Sequence, residues 1–251
     1  MKRKVNSVIS LVICAVMVLG FAAQVSAEEL SDFASEVVNM SQAENGQEEE
    51  AFANAIADLS DQEVADLLSE LCSKMSPAAA TPVVESVIRV ASWNRTAETL
   101  PGFSSTVMQT VTEASKGNTM LVRAAMRGLV RATLTHPGLK EDGTAQQVAE
   151  EVGKQGAQAA VKTAADKNYN IEAVASAVTR GGADGAGSGK DAVGNKRRIA
   201  KAMSEGGVGA APDDQRDTVN HAMMLANALL EGPANPPEPE EASETLPSES
   251  E

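Results

Sequence analysis

The chain has 251 residues, a formal net charge of −14 and 43% hydrophobic side chains, enough for one large core or two small ones. Its acidity repels phosphate backbones, which sets nucleic-acid binding aside. Aromatic residues are only 2% of the chain, so Ala, Val, Leu and Met must fill the core. Apolar positions recur at helical rather than alternating spacing, which predicts an all-α fold: a multi-helix bundle or an irregular stack of helical hairpins.

Residues 1–27 have the pattern of a secretory signal peptide. Lys2, Arg3 and Lys4 form a basic start, residues 8–23 are uncharged and mostly apolar, and Val25-Ser26-Ala27 places small residues before Glu28. This predicts an exported protein, periplasmic or secreted. The alternative is an uncleaved anchor, and membrane contact then arises only through the leader. Cys14 lies in the leader, so the mature chain keeps Cys72 alone and forms no intrachain disulfide. Cys72 falls on an apolar helix side, as a small buried hydrophobe would.

Residues 28–47 form an acidic N-terminal segment, with a short helix expected over 32–40 and a break at Asn45-Gly46. The helical domain is expected over 48–232. Its first helix turns Phe52, Ala55, Ile56 and Leu59 inward. Ser60 and Glu63 match a capping box that opens a second helix with Val64, Leu67, Leu68, Leu71 and Met75 on one stripe. Thr81-Pro82 is the expected start of a third, with Val84, Val87, Ile88 and Ala91 in its core face. Trp93, the single tryptophan, projects away from that face four residues after Arg89. It suits packing against a second layer, a cation–π contact with Arg89, or an exposed interface anchor.

Leu100-Pro101-Gly102 reads as a break before a helix carrying Phe103, Val107, Val111 and Ala114. The clearest two-sided helix then spans 119–134. Leu121, Val122, Ala125, Met126, Leu129 and Ala132 share one face, and Arg123, Arg127 and Arg131 stack as a basic line on the other. His136-Pro137-Gly138 closes it and marks a possible sub-boundary near 136–143. Thr144 and Gln147 match another capping box, opening a long helix whose face is mostly small: Ala145, Val148, Ala149, Val152, Gly156, Ala159, Ala160 and Thr163. A short helix is expected over 171–179, a flexible Gly-rich loop over 180–195, a short basic helix over 196–203, and a last helix opened by Pro212. In that last helix Val219, Ala222, Met223, Ala226 and Leu230 form the buried stripe. Residues 233–251 are Pro, Glu and Ser with almost no hydrophobes, the composition of a disordered acidic tail. Helix starts are unevenly spaced, so no fixed repeat is claimed.

Catalytic patterns come close without fitting. Gly182 to Lys190 resembles a phosphate loop, but Asp184 occupies the first glycine position and Asp191 replaces the magnesium-binding hydroxyl. Asp166, Asn168, Asn170 and Glu172 alternate oxygens like a calcium loop, yet Ile171 stands where glycine is needed and Ala177 where the closing glutamate belongs. The two histidines, His136 and His221, have no metal-ligand neighbours in sequence, and no Gly-x-Ser-x-Gly elbow occurs. No catalytic residue, cofactor or metal is expected. The reading is an exported non-catalytic interaction or structural module that meets an unknown protein partner or a second copy of itself. Its candidate surface is Arg123, Arg127, Arg131 and Trp93. The same arginines could instead pair with acids of their own chain. Two other readings remain: a carrier of an apolar ligand held where small side chains leave room, and an enzyme of unrecognised type.

Overall fold

The computed structural model describes residues 46–139, 143–187 and 192–231, together with Ala34 and Val37. All its long elements are helices: α1 (Gly46–Ala57), α2 (Asp61–Lys74), α3 (Pro77–Trp93), α4 (Leu100–Ala114), α5 (Thr119–Leu134), α6 (Thr144–Asp166), α7 (Ile171–Ala186), α8 (Ala192–Ala210) and α9 (Arg216–Glu231). No strand occurs among the described residues. The leader, most of the segment before α1, and the tail after Glu231 lie outside the described residues.

The heaviest packing joins helices two apart in the chain. Odd-numbered helices α1, α3, α5, α7 and α9 form one layer, and α2, α4, α6 and α8 form the other. Short connections reverse the chain each time, so helices within a layer run parallel. Gly181 and Gly185 of α7 accordingly meet the Arg123 and Arg127 carbonyls of α5 in the same order. Gly153 of α6 faces Ile199 and Met203 of α8, and Gly207 further along α8 faces Val161 further along α6, so these two helices also run in the same direction. The result is a stack of helical hairpins in which each unit covers the next, the near-linear order of an α-solenoid. Its buried apolar residues form one continuous core on both sides of the 136–143 connection.

Central α5 has the expected bounds, and every residue of its expected apolar face is buried. Lys116 (φ 53°) and Gly117 (φ 73°) turn the chain through left-handed backbone ahead of it. Asn118 Oδ1 then accepts the amides of Met120 and Leu121 at 3.1 and 3.4 Å. The Ser60–Glu63 capping box forms as expected at the start of α2.

Several boundaries differ from expectation. Helix α3 begins at Pro77, capped by the Ser76 hydroxyl, and carries Pro82 inside it. The amide missing at Pro82 would have bonded the carbonyl of Ala78, a residue exposed to water, so the deficit is solvated. Leu100-Pro101-Gly102 is the first turn of α4 rather than a break, because those amides have no helical acceptor anyway. Gly143 (φ 85°), not Thr144, is the N-cap of α6, with no side-chain capping bond.

The largest difference concerns the expected flexible loop over 180–195. Helix α7 runs on through Gly181, Gly182 and Gly185 to Ala186, and α8 starts at Ala192, leaving only 188–191 outside the described residues between them. These glycines are the contact surface of α7. A side chain at Gly181 would strike the Arg123 carbonyl oxygen at 2.4 Å, and one at Gly185 the Arg127 carbonyl oxygen at 2.8 Å. The packing made possible by their missing side chains offsets their poor helix propensity. Helix α8 also outgrows its expected 196–203 span, and Pro212 caps a single 3-10 turn before α9.

Candidate functional site: an arginine-lined face

The outward stripe of α5 reads Met120, Arg123, Arg127, Arg131. Each neighbouring odd helix supplies a parallel stripe: Glu85, Arg89 and Trp93 from α3, and Arg180 and Asp184 from α7. This face therefore gathers five arginines against two carboxylates on a chain whose overall charge is −14. The carboxylates tie the layer together. Arg123 Nη2 lies 2.7 Å from Asp184 Oδ2, joining α5 to α7. Arg127 Nε donates to Glu85 Oε2 at 3.0 Å, with a second contact from Nη2, joining α5 to α3. Arg131 reaches the same glutamate only at 4.0 Å. Arg89 and Arg180 have no carboxylate partner among the described residues, and the buried Nε–H of each donates to no acceptor there.

Trp93 closes the carboxyl-terminal end of the face. Its indole N–H donates to the Ala132 carbonyl at 3.3 Å, and Arg89 lies 5.7 Å from the ring centroid. Trp93 is still 38% exposed, so it serves both as a tie to α5 and as accessible surface. At the other end Met120 is 50% exposed and lines a shallow recess of about 260 Å³ between α3 and α5, with Thr81, Arg123 and Arg127. The four expected surface residues thus lie along one face. Sequence reasoning paired Arg89 with Trp93 as a cation–π neighbour, which the ring contact matches, but did not place it in the basic face. It missed Glu85, Arg180 and Asp184 as members of that face, although Glu85-Arg89-Trp93 and Arg180-Asp184 carry the same four-residue spacing that exposed the α5 line.

Elsewhere the geometry serves structure. The small face of α6 is filled from within the chain: a side chain at Gly156 would meet Ser104 Oγ at 2.6 Å and Met126 Cε at 2.7 Å. Ser104 Oγ itself donates to the Val152 carbonyl at 2.8 Å across α4 and α6. That face brings α6 close to α4 and α5. Asn170 of the near-calcium turn caps α7 by accepting the Ala173 amide at 2.9 Å. No group of three or more His, Cys, Asp or Glu that could hold a metal occurs among the described residues. His136 spends both ring nitrogens on backbone: Nδ1 accepts the Gly138 amide at 3.0 Å, leaving Nε2–H to donate to the Arg95 carbonyl at 3.1 Å. His221 is exposed on α9. No described helix is long and apolar enough to cross a membrane.

A second recess, about 350 Å³, is lined by Cys72, Pro77, Ala114, Lys116 and Leu121 among others. Burial pushes the Cys72 thiol from its ordinary 9.0 up to about 12, so it holds its proton and is no nucleophile at neutral pH. A thiol reagent is expected to leave Cys72 unmodified in the native protein and to label it on unfolding. The sign of the linkage follows from the raised value. The folded state keeps a proton that the unfolded chain sheds, so the stability from this group is complete below pH 9.0 and is lost as pH climbs toward 12. Comparing the alkaline denaturation of wild type with Cys72→Ala isolates it; parallel curves would refute the assignment.

No known protein family, curated protein or solved structure matches this chain.

Proposed function

We propose that the chain is an exported, non-catalytic interaction module that uses its arginine-lined face to dock an acidic segment of a protein partner. The observation that carries this reading is the charge contrast: five arginines converge on one face of a strongly acidic chain, and among the described residues Glu85 and Asp184 alone form ion pairs with them. Open apolar groups, Trp93 and Met120, stand at the two ends of that face. Parallel stacking makes the surface broad and rigid, which suits side-by-side reading of an extended segment. The basic start and small-residue exit of residues 1–27 support export.

The test is a photo-crosslinking amino acid placed at Met120, with Val193 on the other layer as control (66% exposed). An acidic partner peptide joined at position 120, absent at 193, and lost from a still-folded Arg131→Glu/Arg180→Glu variant is the expected result. Equal labelling from both positions, or adducts that survive the charge reversal, would overturn the reading.

A further inference from the structure

We infer that the acidic segment docked on this face crosses α3, α5 and α7 obliquely and is held at two stations, Arg180 at one corner and Arg89 with Arg131 at the other. The inference rests on the docking reading above and specifies the partner. It is an extended chain with two acidic groups six or seven residues apart, uncharged residues between them, and an apolar residue just outside the group that meets Arg89.

The register of the three helices places the charges. A side chain at Gly128 would meet the Glu85 carbonyl and Ile88 of α3 at 3.3 Å. Glu85 therefore stands near the level of Arg127, which it pairs, and Arg89, one turn on, near the level of Arg131. On the other side, side chains at Gly181 and Gly185 would meet the carbonyls of Arg123 and Arg127. Arg180 therefore stands near the level of Arg123, and Asp184 near that of Arg127. The middle level holds Glu85, Arg127 and Asp184 across the three helices. Arg89 and Arg180, the two without a carboxylate among the described residues, lie off that level in opposite directions, one on each flanking helix.

An acidic chain meets different charges along each track. Along α5 it meets Arg123 and Arg127, whose guanidinium groups already hold Asp184 and Glu85. Straight across the middle level it runs into those two carboxylates, and like charges in contact are penalised. The oblique track passes over Arg127 between them. Its two ends reach Arg180 and Arg89, which have no acid to give up and gain charge-assisted bonds outright. Arg131 is exposed, 4.0 Å from Glu85, and stands beside Arg89 at the second station.

The spacing follows from helix geometry. The stations lie at the levels of Arg123 and Arg131, which the helical rise puts about 12 Å apart. They are also two helix spacings apart, about 16–20 Å. The diagonal is about 22 Å, which an extended chain covers in about six or seven residues. A single anion or a compact acidic cluster fills one station and leaves the other empty. Trp93, 38% exposed, lies one turn past Arg89 and offers its ring to an apolar residue about two positions beyond the acid.

The probe is a set of fluorescent peptides of one composition, each with two Glu-Glu pairs in a neutral background and one Leu two positions outside a pair. The pairs are set about three, six or eleven residues apart, in both chain directions, and titrated against the full chain at low ionic strength. Binding is expected to peak at the middle spacing, at least about tenfold tighter than at the short one, because affinity from two linked contacts is greatest when the linker matches the span. High salt should abolish it. Arg89→Gln and Arg180→Gln should each bring the middle-spaced peptide down to the level of the short one, with circular dichroism reporting the fold. The charge-neutral pair Arg123→Gln/Asp184→Asn, and Lys201→Gln on the other layer, should leave the optimum in place. Affinity that ignores spacing, binding of no peptide, an optimum that survives both single arginine substitutions, or one that Lys201→Gln also removes would each overturn the inference. The crosslink from position 120 is blind to spacing. An acidic partner caught there beside peptides that ignore spacing would sink the oblique track and leave the docking reading standing, whereas a failed crosslink strikes the docking reading itself.

Discussion

Replacing Gly206 or Gly181 by alanine should each lower stability by about 3 kcal/mol, although alanine is the better helix former by about 1 kcal/mol. The new methyl at 206 would sit 2.2 Å from the Lys154 carbonyl oxygen, and the one at 181 would sit 2.4 Å from the Arg123 carbonyl oxygen. Both obstacles are backbone, so no rotamer change relieves them. The helices must separate, and each pair is a principal contact of its layer: α8 against α6, and α7 against α5. Separation by even a fraction of an ångström weakens the dispersion contacts along the whole pair. Gly102 supplies the control. It also lies in a helix, but nothing stands within 4 Å of its added methyl, so Gly102→Ala should stabilise by about 0.5–1 kcal/mol. Denaturant titration checks all three. A loss of 3 kcal/mol corresponds to a fall in Tm of roughly 6–12 °C for a domain of this size. If the alanines at 181 and 206 behave like the one at 102, the close-contact account of the glycines is wrong.

The misreading of these glycines shows where local pattern stops informing. Gly181, Gly182 and Gly185 have the composition of a linker, and composition alone cannot distinguish a linker from a helix face pressed against another backbone. The distinguishing feature was periodicity: Val174, Ala175 and Val178 already set the buried side of α7, and Gly181, Gly182 and Gly185 continue it at steps of three and four. Helix α5 was readable in full because its two faces differ sharply in polarity, so its bounds and buried residues needed no tertiary information. The all-α class followed from the same signal repeated along the chain. The two-layer order did not, because packing between helices two apart leaves no local mark when hairpin lengths vary. Pro82 and Pro101 misled for another reason. Proline forbids a helical amide, but the first turn has amides to spare and an exposed flank has water to substitute. The arginine line was visible; its partners were not, since Glu85 lies 42 residues from Arg127 and Asp184 lies 61 residues from Arg123.

Arg95 escaped the sequence reading altogether and is expected to be the costliest single side chain to remove. It sits between α3 and α4 with its side chain only 7% exposed. Nε and Nη2 donate to Asp61 Oδ1 at 3.1 and 2.9 Å, Nη1 to the Ala91 carbonyl at 2.8 Å, and Nη2 also to the Leu59 carbonyl at 2.8 Å. Its guanidinium carbon lies 4.5 Å from the centroid of the Phe103 ring. Its own carbonyl accepts from His136 at the end of α5. One residue thus joins the start of α2, the end of α3, the first turn of α4 and the exit of α5. Arg95→Ala removes the fork and strands the Leu59 carbonyl, at a cost of about 3–5 kcal/mol. Asp61 is different, because it is about half exposed and water can replace its partner; Asp61→Asn should cost no more than about 1 kcal/mol. Arg95→Lys keeps the charge but cannot serve Asp61, Ala91 and Leu59 at once, so it should fall between the two. The order Ala, then Lys, then Asp61→Asn in urea midpoints is the signature of a fork that matters for its backbone contacts. Equal losses from Arg95→Ala and Asp61→Asn would make the ion pair the source of the stability instead, and the ties to Leu59 and Ala91 incidental.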